Sequence, residues 1–346
     1  MTHPVLTIKK ISGLVILIVF FLSPAFSETV LDGFPVSAPA DTGDVPESGR
    51  YRFSLSPNIG ILYGHSEEIV YKEAPNRNLY QSELLWDLKP LLYIGLKADF
   101  APEGSSRRQG FAAALSFKAG LPLKSGIMED SDWDNLEPYY YLSRYSRHDA
   151  YSKTAVFLDA SAGYFRRFAG SLAFYVYGEF SFMHFSWLGR DGYTQYASQT
   201  SEGLYLPWNP NLPMNYVYGE LIRYKQDWFV LSPGVSLDWD INRLFSMNAH
   251  FNYSPLVYCA ARDDHFPNQP GSRTYFDYLY FGHYLKSGGE LILSPSQKTS
   301  LSLSASYKWI TGARGDTFQG GSLFDKDGAG AALKTLDMGL AVKFRL

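Results

Sequence analysis

The sequence predicts an all-β protein, specifically a ten-stranded antiparallel transmembrane β-barrel with long extracellular loops. Three observations predict it. Aromatic residues make up 16% of the 346 residues, with 26 Tyr and 24 Phe, against only 19% charged residues. The mean hydropathy is −0.17, and the only long apolar run lies at the N-terminus, so a bundle of transmembrane helices is excluded. From Tyr51 onward, apolar and polar residues alternate with a period of two. Abundant aromatics on alternating strands fit a wall with one face on lipid and the other on a lumen. The competing reading is a soluble, Tyr-rich β protein.

The elements follow in order. Lys9 and Lys10 precede the apolar stretch Leu14 to Leu22, and Pro24-Ala25-Phe26-Ser27 supplies small residues for a signal peptidase. Residues 1–27 are expected to be a signal peptide, because the apolar run is short for a bilayer span. Residues 28–48 are rich in Pro, Asp, Gly and Ala and read as a flexible lead-in on the periplasmic side. Residues 49–346 are then the barrel, a normal length for one closed sheet. Strands are predicted near 50–63, 80–101, 110–126, 153–168, 171–188, 219–241, 244–262, 273–293, 299–312 and 331–346. Short connections contain EGSSRRQ, AG, INR and SPSQ; long ones lie near 64–79, 127–152, 189–218, 263–272 and 313–330. Short periplasmic turns opposite long external loops are the asymmetry of such barrels, and place function on the external face.

Four segments carry the alternation most clearly. Leu231, Val235, Leu237, Trp239 and Ile241 oppose Ser232, Gly234, Ser236, Asp238 and Asp240. Phe245, Met247, Ala249, Phe251 and Tyr253 oppose Ser246, Asn248, His250, Asn252 and Ser254. Leu301, Leu303, Ala305, Tyr307 and Trp309 oppose Ser302, Ser304, Ser306 and Lys308. The last strand sets Leu336, Met338, Leu340, Val342, Phe344 and Leu346 against Thr335, Asp337, Gly339, Ala341, Lys343 and Arg345. A ten-stranded lumen is largely filled by side chains, so a wide pore is not expected. Trp187, Trp228, Trp239 and Trp309 read as interfacial girdle residues.

Composition excludes other classes. Cys259 is the single cysteine, so there is no disulfide framework and no CxxC redox or metal site. The net charge is −3 with no basic cluster, which argues against a nucleic-acid partner.

Two short motifs carry chemistry. Asp130-Ser131-Asp132 precedes Trp133, and Asp263-Asp264-His265 lies far along the chain; both are placed where a strand runs into an external loop. Residues two apart on a strand share a face, so Asp130 and Asp132 point one way, as do Asp263 and His265. If both pairs face the lumen mouth, three carboxylates and one imidazole converge. A carboxylate beside His265 fixes its tautomer and stabilises the imidazolium, so the ring can take a proton from water near neutral pH. Two close carboxylates cannot both ionise freely, so one can keep a proton and donate it to a developing oxyanion. Taken alone, a D-x-D is most often a solvated turn or a weak calcium site, and a D-x-H is surface decoration. Their joint occurrence at strand ends is what favours a cleft.

The segment Gly126-Ile-Met-Glu-Asp-Ser-Asp-Trp133 resembles the acidic pair of the omptin family, and Asp263-Asp-His265 resembles its D-x-H dyad. Ser146-Arg147-His148, Gly219-Glu220, Tyr224-Lys225-Gln226 and Gly64 with Val70-Tyr71 are similar to family positions too, so the resemblance spans the whole mature barrel. It implies an outer-membrane endopeptidase of aspartyl type, with its active site facing the exterior and polypeptides as substrates. By position His265 is the base, Asp263 its orienter, Asp130 and Asp132 the opposite pair, and Ser146 and His148 supporting residues. Neither metal nor other cofactor is implied for the chemistry, and a monomer in contact with outer-membrane lipid is expected.

The family's acidic pocket for basic side chains is represented by Glu68, with Met128 at another pocket position. A further acidic family position is Ala261 here, and Asp277 is the candidate to restore the missing charge. Family members require lipopolysaccharide as an activator. The matching outer-wall stretch reads Phe180, Phe182 and His184, without the expected Arg; Arg190 and Arg223 are the nearby basic candidates. The alternative function is a non-catalytic barrel acting as adhesin or receptor, which gives no reason for the two motifs. A lipid-modifying barrel enzyme would want a Ser or His nucleophile system on an outward face, and none is found.

Overall fold

In a computed structural model, the described residues are 51–102, 109–266 and 271–346. The expected signal peptide, the lead-in and most of the EGSSRRQ turn lie outside them. No helix occurs among the described residues. Thirteen strand segments run β1 (Tyr51–Tyr71), β2 (Tyr80–Pro102), β3 (Gln109–Gly120), β4 (Lys124–Asp132), β5 (Arg144–Ala169), β6 (Leu172–Tyr196), β7 (Asn215–Asp240), β8 (Phe245–Ser254), β9 (Val257–His265), β10 (Arg273–Tyr280), β11 (His283–Leu293), β12 (Thr299–Gln319) and β13 (Ser322–Arg345). All pairings are antiparallel, and β13 returns to pair with β1, so the sheet closes on itself. Three wall positions are each shared by two segments, β3 with β4, β8 with β9 and β10 with β11, which gives a ring of ten strands.

The three interruptions have local causes. Leu121-Pro122-Leu123 separates β3 from β4, and Pro255-Leu256 separates β8 from β9. A proline has no N–H to give to a ladder. Phe281 and Gly282, both at positive φ (60° and 123°), part β10 from β11. Two of the breaks also switch the inward parity: Asn252 and Ser254 are buried on β8 but Val257, Cys259 and Asp263 on β9, and Asp277 and Leu279 on β10 but Tyr284 on β11.

The alternation is inside-out, as a lipid-facing wall requires. Leu303 is 60% exposed on β12, whereas the neighbouring Ser302 and Lys308 are 5% and 6% exposed in the lumen. The same holds for Leu340 against Asp337 on β13, and for Leu231 against Ser232 on β7. A soluble sheet would bury the leucines and expose the lysine. The lower lumen is filled by paired charges, as buried ions require. Lys286 bridges both oxygens of Glu179 at 2.9 and 2.8 Å, Lys97 and Lys343 flank Asp99 at 3.1 and 3.2 Å, and Lys118 meets Asp337, which also accepts from the Tyr93 hydroxyl at 2.6 Å.

Above the lipid-facing band the strands continue much further than the sequence indicated. Of the expected long loops, 64–71, 127–132, 144–152, 189–196, 215–218, 263–265, 313–319 and 322–330 are strand, and β12 joins β13 through a two-residue turn, Gly320-Gly321. The physical reason is that a wall standing in water can be polar on both faces. Outward Glu67 sits beside inward Glu68 there, and the period-two contrast fades. The two longest remaining connections lean on each other: Asn135 donates to the Tyr205 carbonyl at 2.8 Å and accepts from the Tyr205 N–H at 3.0 Å, and the Tyr141 hydroxyl donates to the same carbonyl at 2.7 Å.

Candidate active site

The site lies on the inner face of the upper wall, over an aromatic floor. Trp86, Trp187, Tyr224 and Trp228 are fully buried. Trp86 stacks on Tyr224 with centroids 5.7 Å apart, Trp187 on Phe185 at 5.0 Å, and Trp187 on Tyr224 at 6.2 Å. This corrects the girdle assignment for two tryptophans. Trp187 and Trp228 have inward parity and close the lumen, whereas Trp239 and Trp309 do face outward. Aromatic residues belong to both faces of such a wall, so composition alone does not sort them.

Register sets the residues in rows. Glu68 on β1, Leu84 on β2, Asp130 on β4 and Ser146 on β5 are successive cross-strand partners. One step above them lie Ser82, Asp132 and Arg144; one step below lie Trp86, Met128 and His148. Residues directly opposite share a face, so both acids of the D-x-D motif point inward. Their height is fixed by a bulge between Lys124 and Gly126. Gly126 adopts φ +133°, and a Cβ there would lie 2.5 Å from the Asp87 Cβ. The Asp87 carboxylate accepts the Ile127 N–H at 3.2 Å, which ties down the start of β4.

The opposite wall carries the second motif. Asp263 on β9 sits between Tyr224 on β7 and Tyr275 on β10, and His265 follows two residues above it. The Asp263 Oδ2 atom pairs with the His265 Nε2 atom. Asp264 points away and binds Thr274 at 2.6 Å and Arg262 at 2.9 Å, so it takes no part in the cleft. Tyr275 stands edge-on to His265, with centroids 5.8 Å apart.

The two walls feel each other electrostatically. Burial is the largest influence on Asp130 and, with Asp132 beside it, pushes its carboxyl up to about 7, while the positive charge of His265 pulls the other way. Burial likewise raises Asp132, opposed by Arg144, and raises Asp263, opposed by its bond to His265. Burial lowers His265, but the bond to Asp263, its charge and that of Asp130 outweigh it, and the imidazole ends above its ordinary value. The charges of Asp130 and His265 thus act on each other across the lumen.

Glu68 and Asp277 lie deeper. Burial raises Glu68 strongly, aided by the charges of Asp263 and Asp277. Burial also raises Asp277, to about 7, while the Thr317 hydroxyl donates to it at 2.6 Å. Asp277 pairs directly across the ladder with Ala261, so a carboxylate at 277 stands next to the place where one at 261 would have been. The Glu68 Oε2 and Asp263 Oδ1 atoms are both buried without a hydrogen-bond partner among the described residues. Met128 is enclosed in the floor. His148 donates from Nδ1 to the Asp191 carbonyl at 2.6 Å, so its Nε2 accepts from the Ser146 hydroxyl at 3.0 Å. Burial lowers its pKa, which fits a neutral ring buttressing β5 below Asp130. Among the described residues, no group of three His, Cys, Asp or Glu is arranged to hold a metal ion.

A model of the omptin family matches residues 50–346. The chain belongs to the omptin family. This is a family of outer-membrane proteases. The structure is similar to the outer membrane protease OmpT from Escherichia coli, at a TM-score of 0.75 and 18% identity, covering 85% of this chain and 97% of that one. The attachment invasion locus protein Ail of Yersinia pestis (TM-score 0.25, 13% identity, covering 84% and 98%) and the toluene transporter TodX of Pseudomonas putida (0.27, 10%, 86% and 89%) overlap too little to carry an argument. No curated protein matches at the level of sequence.

Sequence reasoning missed Ser82, Arg144 and Asp134, which contact this omptin's acid pair or its neighbours, and the aromatic floor. Ser82 donates to the Asp130 Oδ1 atom at 3.1 Å from a strand 48 residues earlier. Nothing in the local sequence announces that pairing. On the outer wall, His184 is bonded to Asp227 at 2.7 Å, Arg190 to Asp191 at 2.7 Å, and Arg223 to Glu220. The basic candidates for a lipid phosphate thus already have acidic neighbours.

Proposed function

We propose that this chain is an outer-membrane endopeptidase of the aspartyl-type omptin class, with its cleft open to the exterior. His265, oriented by Asp263 through Nε2, takes a proton at Nδ1 from a water molecule. That water attacks the carbonyl carbon of a peptide bond lying between the two walls. The Asp130–Asp132 pair holds the water and the reacting carbonyl from the opposite side, and its proton is donated as the tetrahedral oxyanion forms. The imidazolium proton then passes to the leaving amine as the C–N bond breaks, and the pair recovers its proton as the carbonyl re-forms. The observation that carries this reading is that Asp130 and His265, on two acid-bearing motifs whose first members are 133 residues apart, act on each other's charge above a closed aromatic floor.

Glu68 and Asp277 form the base of the cleft and suit a basic side chain of the substrate. A guanidinium or ammonium displaces their protons and is held by the carboxylates. Ser146 and His148 support the acid pair from β5. Lipopolysaccharide is the candidate activator, a role the family suggests and the acid-paired outer wall weakens. The protein is proposed to act as a monomer.

Purified, refolded protein digesting a peptide library, with and without lipopolysaccharide, tests the reading. Cleavage beside Lys or Arg is expected, with kcat lower by about 10²–10⁴-fold in His265→Ala and Asp263→Ala. Full activity in either folded variant removes the mechanism. An intact barrel that cleaves nothing in either lipid condition leaves a binding role.

A further inference from the structure

The two acids of the D-x-D motif are chemically identical, and the structure treats them differently. The Asp132 Oδ2 atom lies 3.5 Å from the Arg144 Nε atom. The Asp130 carboxylate accepts a single neutral hydrogen bond among the described residues, from Ser82. Arg144 is itself held firmly. Its Nε and Nη2 atoms fork onto Asp134 at 2.8 and 2.6 Å, and Asp134 is fixed by the Ser143 hydroxyl at 2.7 Å. The guanidinium lies 5.5 Å from the ring centroids of both Tyr196 and Tyr205. We infer that Arg144, gripped by Asp134, is a positioning residue that holds Asp132 as the carboxylate and leaves Asp130 to carry the proton of the pair.

The inference deepens the proposed mechanism and rests on it only for its kinetic readout. An acid that must donate to a forming oxyanion has to be the protonated member, and it has to be the one facing the dyad. The charge of His265 acts on Asp130, whereas Asp132 contacts Arg144 and feels the charges of Asp134 and Lys72. The other charged groups around Asp130 are Asp132 on its own strand, Glu68 on β1 and Arg144 on β5. Ser82 on β2 is neutral. Arg144 is thus the cation in direct contact with Asp132, and Lys72 adds to its effect there from the loop after β1. A neutral side chain at 144 would let the proton spread over both and bind more tightly.

Two variants move the pair in opposite directions. Arg144→Gln removes the cation, so the proton of the pair is lost at higher pH, by about one pH unit. Asp134→Asn leaves Arg144 with less opposing charge, so the proton is lost at lower pH. The midpoint is read directly by carboxyl-carbon NMR of aspartate-labelled, refolded protein, with Asp130→Asn assigning the signal. It is read again as the alkaline limb of kcat/KM against pH. Arg144→Lys should restore most of the wild-type midpoint. Merely structural damage lowers amplitude without opposite shifts. Midpoints that stay put, or move the same way in both variants, overturn the inference. The NMR midpoint reports on Arg144 even in a protein without activity, so failure of the protease reading is separately visible.

Discussion

Replacing Asp277 by Asn should stabilise the barrel at alkaline pH while weakening its grip on basic side chains. Asp277 is only 7% exposed, and burial pushes its carboxyl up to about 7. In the unfolded chain it titrates near 4. A raised acid binds its proton more tightly when folded. Its stabilising contribution is complete below the unfolded value and is lost as pH rises through 7. At 1.36 kcal/mol per unit, ionising Asp277 in place costs about 4 kcal/mol. Asparagine keeps the acceptor for the Thr317 hydroxyl and never ionises. From pH 5 to pH 8 the stability of the variant relative to wild type should therefore grow by about 3 kcal/mol. Urea unfolding in lipid micelles at both pH values, followed by tryptophan fluorescence, measures the gap. A difference between variant and wild type that is the same at pH 5 and pH 8 would refute the electrostatic reasoning. The functional counterpart is a rise in KM for peptides with Lys or Arg at the scissile bond, with kcat little changed.

Asp263→Asn keeps the shape of the dyad and removes its charge. Asp263 first, and then Asp130, hold His265 above its ordinary value against burial. The acid limb of kcat/KM should move down by about one to two pH units, as expected for loss of an adjacent opposite charge, and the plateau should fall. An unmoved limb would mean that His265 is not the base. Gly126→Ala should cost about 1–3 kcal/mol through backbone strain at φ +133° and the Asp87 contact, and should lower kcat by shifting the register of β4. Wild-type kcat in a folded Gly126→Ala protein would show that the bulge does not set the height of Asp130.

The sequence by itself determined the barrel and its contents of acid and imidazole. A wall between lipid and lumen must alternate, so Leu301 through Trp309 and Leu336 through Leu346 could be read as strands without coordinates. The motifs around Asp130 and His265 were legible for the same reason, since a spacing of two puts both members on one face. Where the contrast between faces fades, the reading fails: the upper walls looked like loops, and proline breaks at 122 and 255 passed unnoticed. Only the closed sheet decided which tryptophans are floor and which are girdle. Only it set Ser82, Asp130 and Arg144 on neighbouring strands, brought His265 within the field of Asp130, and placed Asp277 beside Ala261. Those are long-range pairings fixed by register, and register depends on how every strand packs against its neighbours rather than on any one segment's own residues.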